Sequence, residues 1–74
     1  MNVYHVIHNG QLHSVKAKTE SSAAVFFVKH RISASSYECD RKDVSGEILY
    51  VVKADNFYYT VRVKSAEETQ GVLL

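Results

Sequence analysis

Residues Glu47 to Lys64 read EILYVVKADNFYYTVRVK, and apolar side chains recur at every second position on both sides of Asp55-Asn56. Folding about those two residues gives a β-hairpin that sets Ala54 opposite Phe57, Val52 opposite Tyr59, Tyr50 opposite Val61 and Ile48 opposite Val63. These eight form one apolar face. The reverse face pairs Glu47 with Lys64, Leu49 with Arg62, Val51 with Thr60 and Lys53 with Tyr58, a mixed surface that water or a partner can cover. A slip of one residue would turn lysines and arginine into the core, so the register is strongly specified. Asn56 is expected to supply the positive φ that such a turn requires.

A second hairpin is written around Asn9-Gly10, the dipeptide that best suits a type I′ turn because both residues tolerate positive φ. Its flanks are Val3 to His8 and Gln11 to Ala17. The register opposes His8 to Gln11, Ile7 to Leu12, Val6 to His13, His5 to Ser14, Tyr4 to Val15 and Val3 to Lys16. Tyr4, Val6, Val15 and Ala17 then face the core, leaving Val3, His5, Ile7, Leu12, Ser14 and Lys16 outward.

Between the hairpins, Thr19 or Ser21 can accept a hydrogen bond from the free amides of a helix start, and Glu20 suits the positive end of the dipole. The helix is expected from about Ser21 to Ile32. Ala24, Phe27, Val28 and Ile32 form its buried stripe, with Ala23 and Val25 at the margins, while Phe26, Lys29 and His30 lie opposite. Phe26 is the anomaly on that polar side. Ser33 to Ser36 reads as the helix exit, Tyr37 to Cys39 as a short extra strand, and Asp40 to Gly46 as a polar connection. Ser65-Ala66-Glu67-Glu68 has capping-box spacing for a short helical turn, and Val72, Leu73 and Leu74 could dock as an apolar hook.

The order strand, strand, helix, strand, strand implies an α+β fold: a two-layer sandwich with a four-stranded antiparallel sheet and one helix on one face. Residues 1–64 make one domain and 65–74 a capped turn or tail. The opposite sheet face is bare. It collects Lys16, Lys53, Arg62 and Lys64 with His5 and Tyr58, against the single acid Glu47.

With 74 residues the chain holds one modest core and no enclosed cavity between domains, so function falls to a surface. No stretch approaches the roughly 18 uninterrupted apolar residues of a membrane span. The start, MNVYHVIH, lacks a secretory pattern. A soluble, cytoplasmic protein without membrane contact is expected. Cys39 is the one cysteine, so stability comes from the core or from a second copy of the chain. A net charge of +1 argues against bulk electrostatic attachment to nucleic acid, which makes the distribution of charge decisive.

Catalytic patterns are weak. Alternation points His5 away from the face shared by His8 and His13, so three metal ligands do not converge, with or without Cys39. A Cys39 nucleophile would need a base and an orienting group in a pocket. No glycine-rich phosphate loop follows a strand and no acids are paired at catalytic spacing, so neither catalysis, metal nor cofactor is expected.

Two surfaces remain. On the bare sheet face, Lys16, Lys53, Arg62 and Lys64 can meet phosphates or acidic protein, and Tyr58 is taken to stand next to Arg62 as an aromatic anchor. A reader of several unstacked bases would show more aromatics there, since Tyr50, Phe57 and Tyr59 read as core. On the helix, Phe26 with Lys29 and His30 can seal a partner contact or a homodimer.

The N-terminal half, MNVYHVIHNGQLHSVKAKTESSAAVFFVKHRI, resembles the opening of several small phage-encoded anti-CRISPR proteins. In those, a strand pair ending in a V-x-A element, here Val15-Lys16-Ala17, precedes a helix with a serine-rich start. The resemblance implies a noncatalytic inhibitor that sits on a CRISPR surveillance complex, a ribonucleoprotein, and blocks it through charged surface residues. The leading expectation is a small binding protein from a mobile element that obstructs a host complex. The alternatives are a nucleic-acid-binding module using the basic sheet face, and a regulatory homodimer.

Overall fold

The computed structural model describes residues 1–66. Its elements are strand β1 (Asn2–His8), strand β2 (Gln11–Ala17), helix α1 (Glu20–Lys29), and strands β3 (Tyr37–Val44), β4 (Glu47–Ala54) and β5 (Phe57–Ser65). The five strands form one antiparallel sheet in the order β2-β1-β5-β4-β3, and α1 packs on one of its faces. The first and last hairpins thus meet along β1 and β5, where His5 opposes Lys64 and Ile7 opposes Arg62.

The architecture is α+β as expected, but the sheet has five strands, not four. Asp40 to Val44, expected as a polar connection, extends the short strand at Tyr37 to Cys39 into a full partner of β4, with Glu38 opposite Lys53 and Val44 opposite Glu47. Ser45 and Gly46, with φ of 51° and 82°, turn this third hairpin. β3 is an edge strand whose Asp40 to Val44 section is exposed on both faces, so no apolar alternation marks it in the sequence.

Both expected hairpin registers are present, from His8 opposite Gln11 to Val3 opposite Lys16 and from Ala54 opposite Phe57 to Tyr50 opposite Val61. In the β4–β5 turn, however, the positive φ falls on Asp55, at 54°, and not on Asn56. Asp55 tolerates this conformation for the same reason as asparagine, through its short polar side chain. That side chain also has work elsewhere: its carboxylate accepts the backbone amides of Ser35 at 3.1 Å and Ser36 at 3.2 Å, while its own amide donates to the Ser36 carbonyl. Asp55 therefore clasps the α1–β3 connection to the far turn. Replacing it with glycine keeps the turn geometry and removes the clasp, an expected loss of about 1–2 kcal/mol. The measurement is a urea midpoint that falls at constant slope, and an unchanged midpoint would show the clasp to be idle.

Thr19 caps the helix, its Oγ1 accepting the Ser22 amide at 3.1 Å. The helix ends at Lys29, a little earlier than expected, because the Tyr37 hydroxyl draws the chain away: it donates to the Ile32 carbonyl at 2.7 Å and accepts the Ala34 amide at 3.0 Å.

The core joins Tyr4, Val6 and Ala17 from the first hairpin, Ala23, Ala24, Phe27 and Val28 from α1, and Tyr50, Val52, Ala54, Val61 and Val63 from the last. Of the other expected core residues, Val15, Ile32 and Tyr59 pack against it half-buried, and two lie outside it: Phe57 is 60% exposed and Ile48 37%. Both project toward the helix side, but a ten-residue helix is only about 15 Å long and cannot roof strands of about 25 Å across a five-stranded width. The turn expected to grow from the capping box at Ser65 and the apolar hook at Val72 to Leu74 lie, beyond residue 66, outside the described residues.

Candidate functional site: the open face of the sheet

Alternation along each strand sends one set of side chains to α1 and the other to the uncovered face. Lys16, Lys53, Tyr58, Arg62 and Lys64 all lie on that uncovered face, as does His5, which stands between Ser14 and Lys64. The face is not basic throughout. β3 brings Glu38, Asp40 and Lys42 onto it, so Glu47 is not its single acid. Lys16 stands on β2, Arg62 and Lys64 on β5 and Lys53 on β4, while the carboxylates come from Glu47 on β4 and from Glu38 and Asp40 on β3, beside Lys42.

Arg62 and Tyr58 do not form a pair. Four residues of strand separate them by about 13 Å. Arg62 instead reaches Glu47, with Nη2 to Oε2 at 2.8 Å, and the Lys53 ammonium stands 5.9 Å from the centre of the Tyr58 ring. Tyr58 is 66% exposed, an aromatic surface with a cation beside it. The Arg62–Glu47 pair is about half exposed on both sides, where such pairs are worth only about 0–1 kcal/mol, so an incoming carboxylate can take the guanidinium from Glu47 at little cost.

The apolar component of the face was underrated by its charges. Leu12 and Val3 are exposed, and Ile7, Leu49 and Val51 are half-buried although no layer covers them. A notch of about 400 Å³ opens where β1 leaves β5 at the Asn9-Gly10 turn, lined by Ile7, Leu49, Thr60, Val61 and Arg62. It offers apolar walls with a guanidinium at the mouth, a seat for an apolar side chain next to an acid.

The sites expected on the helix lie apart from this face. Phe26 is 41% exposed, with Lys29 and His30 also exposed on the outer side of α1. His8 and His13 both turn inward against Phe27, at ring distances of 5.4 and 4.9 Å, and the Arg31 guanidinium covers the same ring at 4.4 Å. Among the described residues no three histidine, cysteine or acidic side chains converge as metal ligands. Cys39 is half-buried on the helix side of β3, and burial, together with the Asp40 carboxylate, pushes its thiol above the ordinary 9.0, against a Ser21 hydrogen bond that lowers it. A thiol so held is a poor nucleophile at neutral pH.

Glu38, Asp40 and Lys42 were not placed on this face because the strand expected at Tyr37 to Cys39 was given neither its extension through Val44 nor its pairing with β4. Ser45-Gly46 was the available signal, since a residue-glycine pair between two stretches of equal length is hairpin punctuation. No protein-family model matches the chain, and no curated protein or solved structure matches it either. No helix among the described residues is long and apolar enough to cross a membrane.

Proposed function

We propose that this protein is a small noncatalytic binding protein that works by obstruction, its open sheet face lying against the surface of a larger host complex. The observation that carries this reading is the uncovered band of Leu12, Ile7, Leu49 and Val51 set among Lys16, Lys53, Arg62 and Lys64. Apolar residues give a contact its energy, and the surrounding cations give it register and rate. The resemblance of the N-terminal half to small phage-encoded anti-CRISPR proteins makes a nucleic-acid-handling complex such as a CRISPR surveillance complex the leading candidate for the host machine. Tyr58 and Arg62 are the expected anchors, since tyrosine and arginine dominate binding energy at interfaces.

Capture from the native host should yield one dominant macromolecular partner, lost when Arg62→Glu and Lys64→Glu are combined. Both side chains are exposed, so the variant should keep the wild-type melting temperature. Undiminished capture by the double variant would remove the open face from consideration. Direct nucleic-acid binding is the second reading, favoured by the Lys53–Tyr58 stack. It predicts an affinity for short DNA or RNA that falls steeply with salt, and Glu38 and Asp40 on the same face weigh against it.

A further inference from the structure

The two edges of the sheet differ in chemistry. On β3, Glu38, Asp40, Arg41, Lys42 and Asp43 are all exposed, the crowding of charge that keeps an edge strand from accepting another. β2 has one charged residue, Lys16. In a two-residue hairpin the pair closing the turn exchanges backbone hydrogen bonds, here His8 with Gln11, and every second pair after it does the same. Leu12, Ser14 and Lys16 therefore point their amides and carbonyls outward, on the last strand of the sheet.

A groove runs beside this edge, between β2 and α1. One part, of about 310 Å³, is lined by Ser14, Val15, Lys16, Phe26 and His30. A second, of about 320 Å³, continues it past His13 to Arg31. An added strand would place alternate side chains in this groove, against Val15 and the exposed ring of Phe26. Its charge is one-sided. From Val3 to Ser36 the chain has a single acid, Glu20, whose carboxylate is taken by the Tyr50 hydroxyl at 2.7 Å. Lys16, Lys18 and Arg31 are exposed along this flank and no ion pair joins them to an acid among the described residues, while Lys29 reaches the other way, its ammonium 5.3 Å from the centre of the Tyr37 ring on β3.

We propose that β2 receives an extended, acidic segment of a partner protein, which joins the sheet as a sixth strand with apolar side chains at Val15 and Phe26 and carboxylates toward the lysines and Arg31. Two copies of this chain pairing through β2 would bring like cations together, which selects an occupant of opposite sign. A nucleic acid would satisfy the cations but offers no peptide backbone to pair with the edge. This surface shares Lys16 and the β2 backbone with the border of the open face, but its groove lies on the helix side and the proposal does not rest on that reading.

The test titrates the isotope-labelled full chain with a short synthetic peptide in which glutamate alternates with valine, beside a control with lysine in place of glutamate. The amides of Leu12, Ser14 and Lys16 should shift and gain protection from exchange with the acidic peptide alone. Phe26→Ala should weaken binding about tenfold, the scale of an interface anchor. Ser14→Pro removes an outward N–H at an edge position where proline is tolerated, and should abolish binding with the melting temperature kept. The proposal is overturned if the acidic peptide fails to bind, if the lysine peptide binds equally, if the shifts centre on Arg62 and Lys53, or if Ser14→Pro binds like wild type. It is also overturned if those amides become protected with rising concentration of the free chain, or if a short single-stranded oligonucleotide protects them better than the peptide.

Discussion

Phe27→Ala is expected to destabilise the protein by about 3–5 kcal/mol, while Phe26→Ala one position away changes stability by no more than about 0.5 kcal/mol. A domain of 74 residues has about 4–11 kcal/mol in all, so the first substitution removes a large share of it and the second is hardly felt. The contrast is one of environment. Phe27 is 4% exposed and is the largest helix side chain in the core, with the rings of His8 and His13 against it and the Arg31 guanidinium over its face. Alanine would leave a cavity that strands tied by backbone ladders cannot collapse to fill. Phe26, at 41% exposure, leaves no cavity behind. Urea denaturation of the two variants decides the matter, and equal losses would mean that the helix is rotated from the orientation described.

The second large effect is alkaline. Tyr50 is 4% exposed, and its phenol is pushed up to about 12 from an ordinary 10.0, first by burial and then by the hydrogen bond and charge of Glu20, whose Oε2 accepts the hydroxyl at 2.7 Å. The folded state holds the neutral phenol, whereas the unfolded chain ionises at the ordinary value. The unfolded state therefore binds fewer protons between these values, and stability falls as pH rises through that window. The contribution is intact below about pH 10 and lost by about pH 12, a change of about 2–3 kcal/mol. Tyr50→Phe should flatten that part of the stability curve. Glu20→Gln keeps an acceptor and removes the charge, so the fall should still begin near pH 10 but end at a lower pH and be smaller, without vanishing because burial remains. Superimposable alkaline curves for the wild type and both variants would overturn this account.

These effects meet at the two ends of α1. Glu20 and Tyr50 join the helix start to the middle of β4, and Phe27 with Arg31 closes the helix end over the first hairpin. The clasp of Asp55 on Ser35 and Ser36 holds the chain as it leaves the helix. Both proposed contact surfaces, the open face and the β2 edge, depend on this framework, since it fixes which side of each strand meets solvent.

Much of the framework is legible in the residues. Asn9-Gly10 and the alternating runs around Asp55-Asn56 specify two hairpins whose one-residue slips would bury lysine, so only one register of each survives. The spacing of Ala24, Phe27 and Val28 orients the helix, and the sidedness of Lys16, Lys53, Arg62 and Lys64 follows from the same alternation. β3 was not legible. Its Asp40 to Val44 section, exposed on both faces, has no apolar pattern to reveal it, and its pairing to β4 comes from backbone hydrogen bonds that every residue carries alike.

The local sequence thus determined the turns, the registers and the division of each strand into an inner and an outer row, because steric preference and burial act on residues near one another in the chain. Tertiary structure decided what lies beside what. It placed β5 between β1 and β4, joined Arg62 to Glu47 and not to Tyr58, brought the carboxylates of β3 onto the open face, and left Phe57 outside the reach of a short helix. Those outcomes depend on strand order and on the area one helix can cover, which are properties of the assembled layers and are carried by no single stretch of residues.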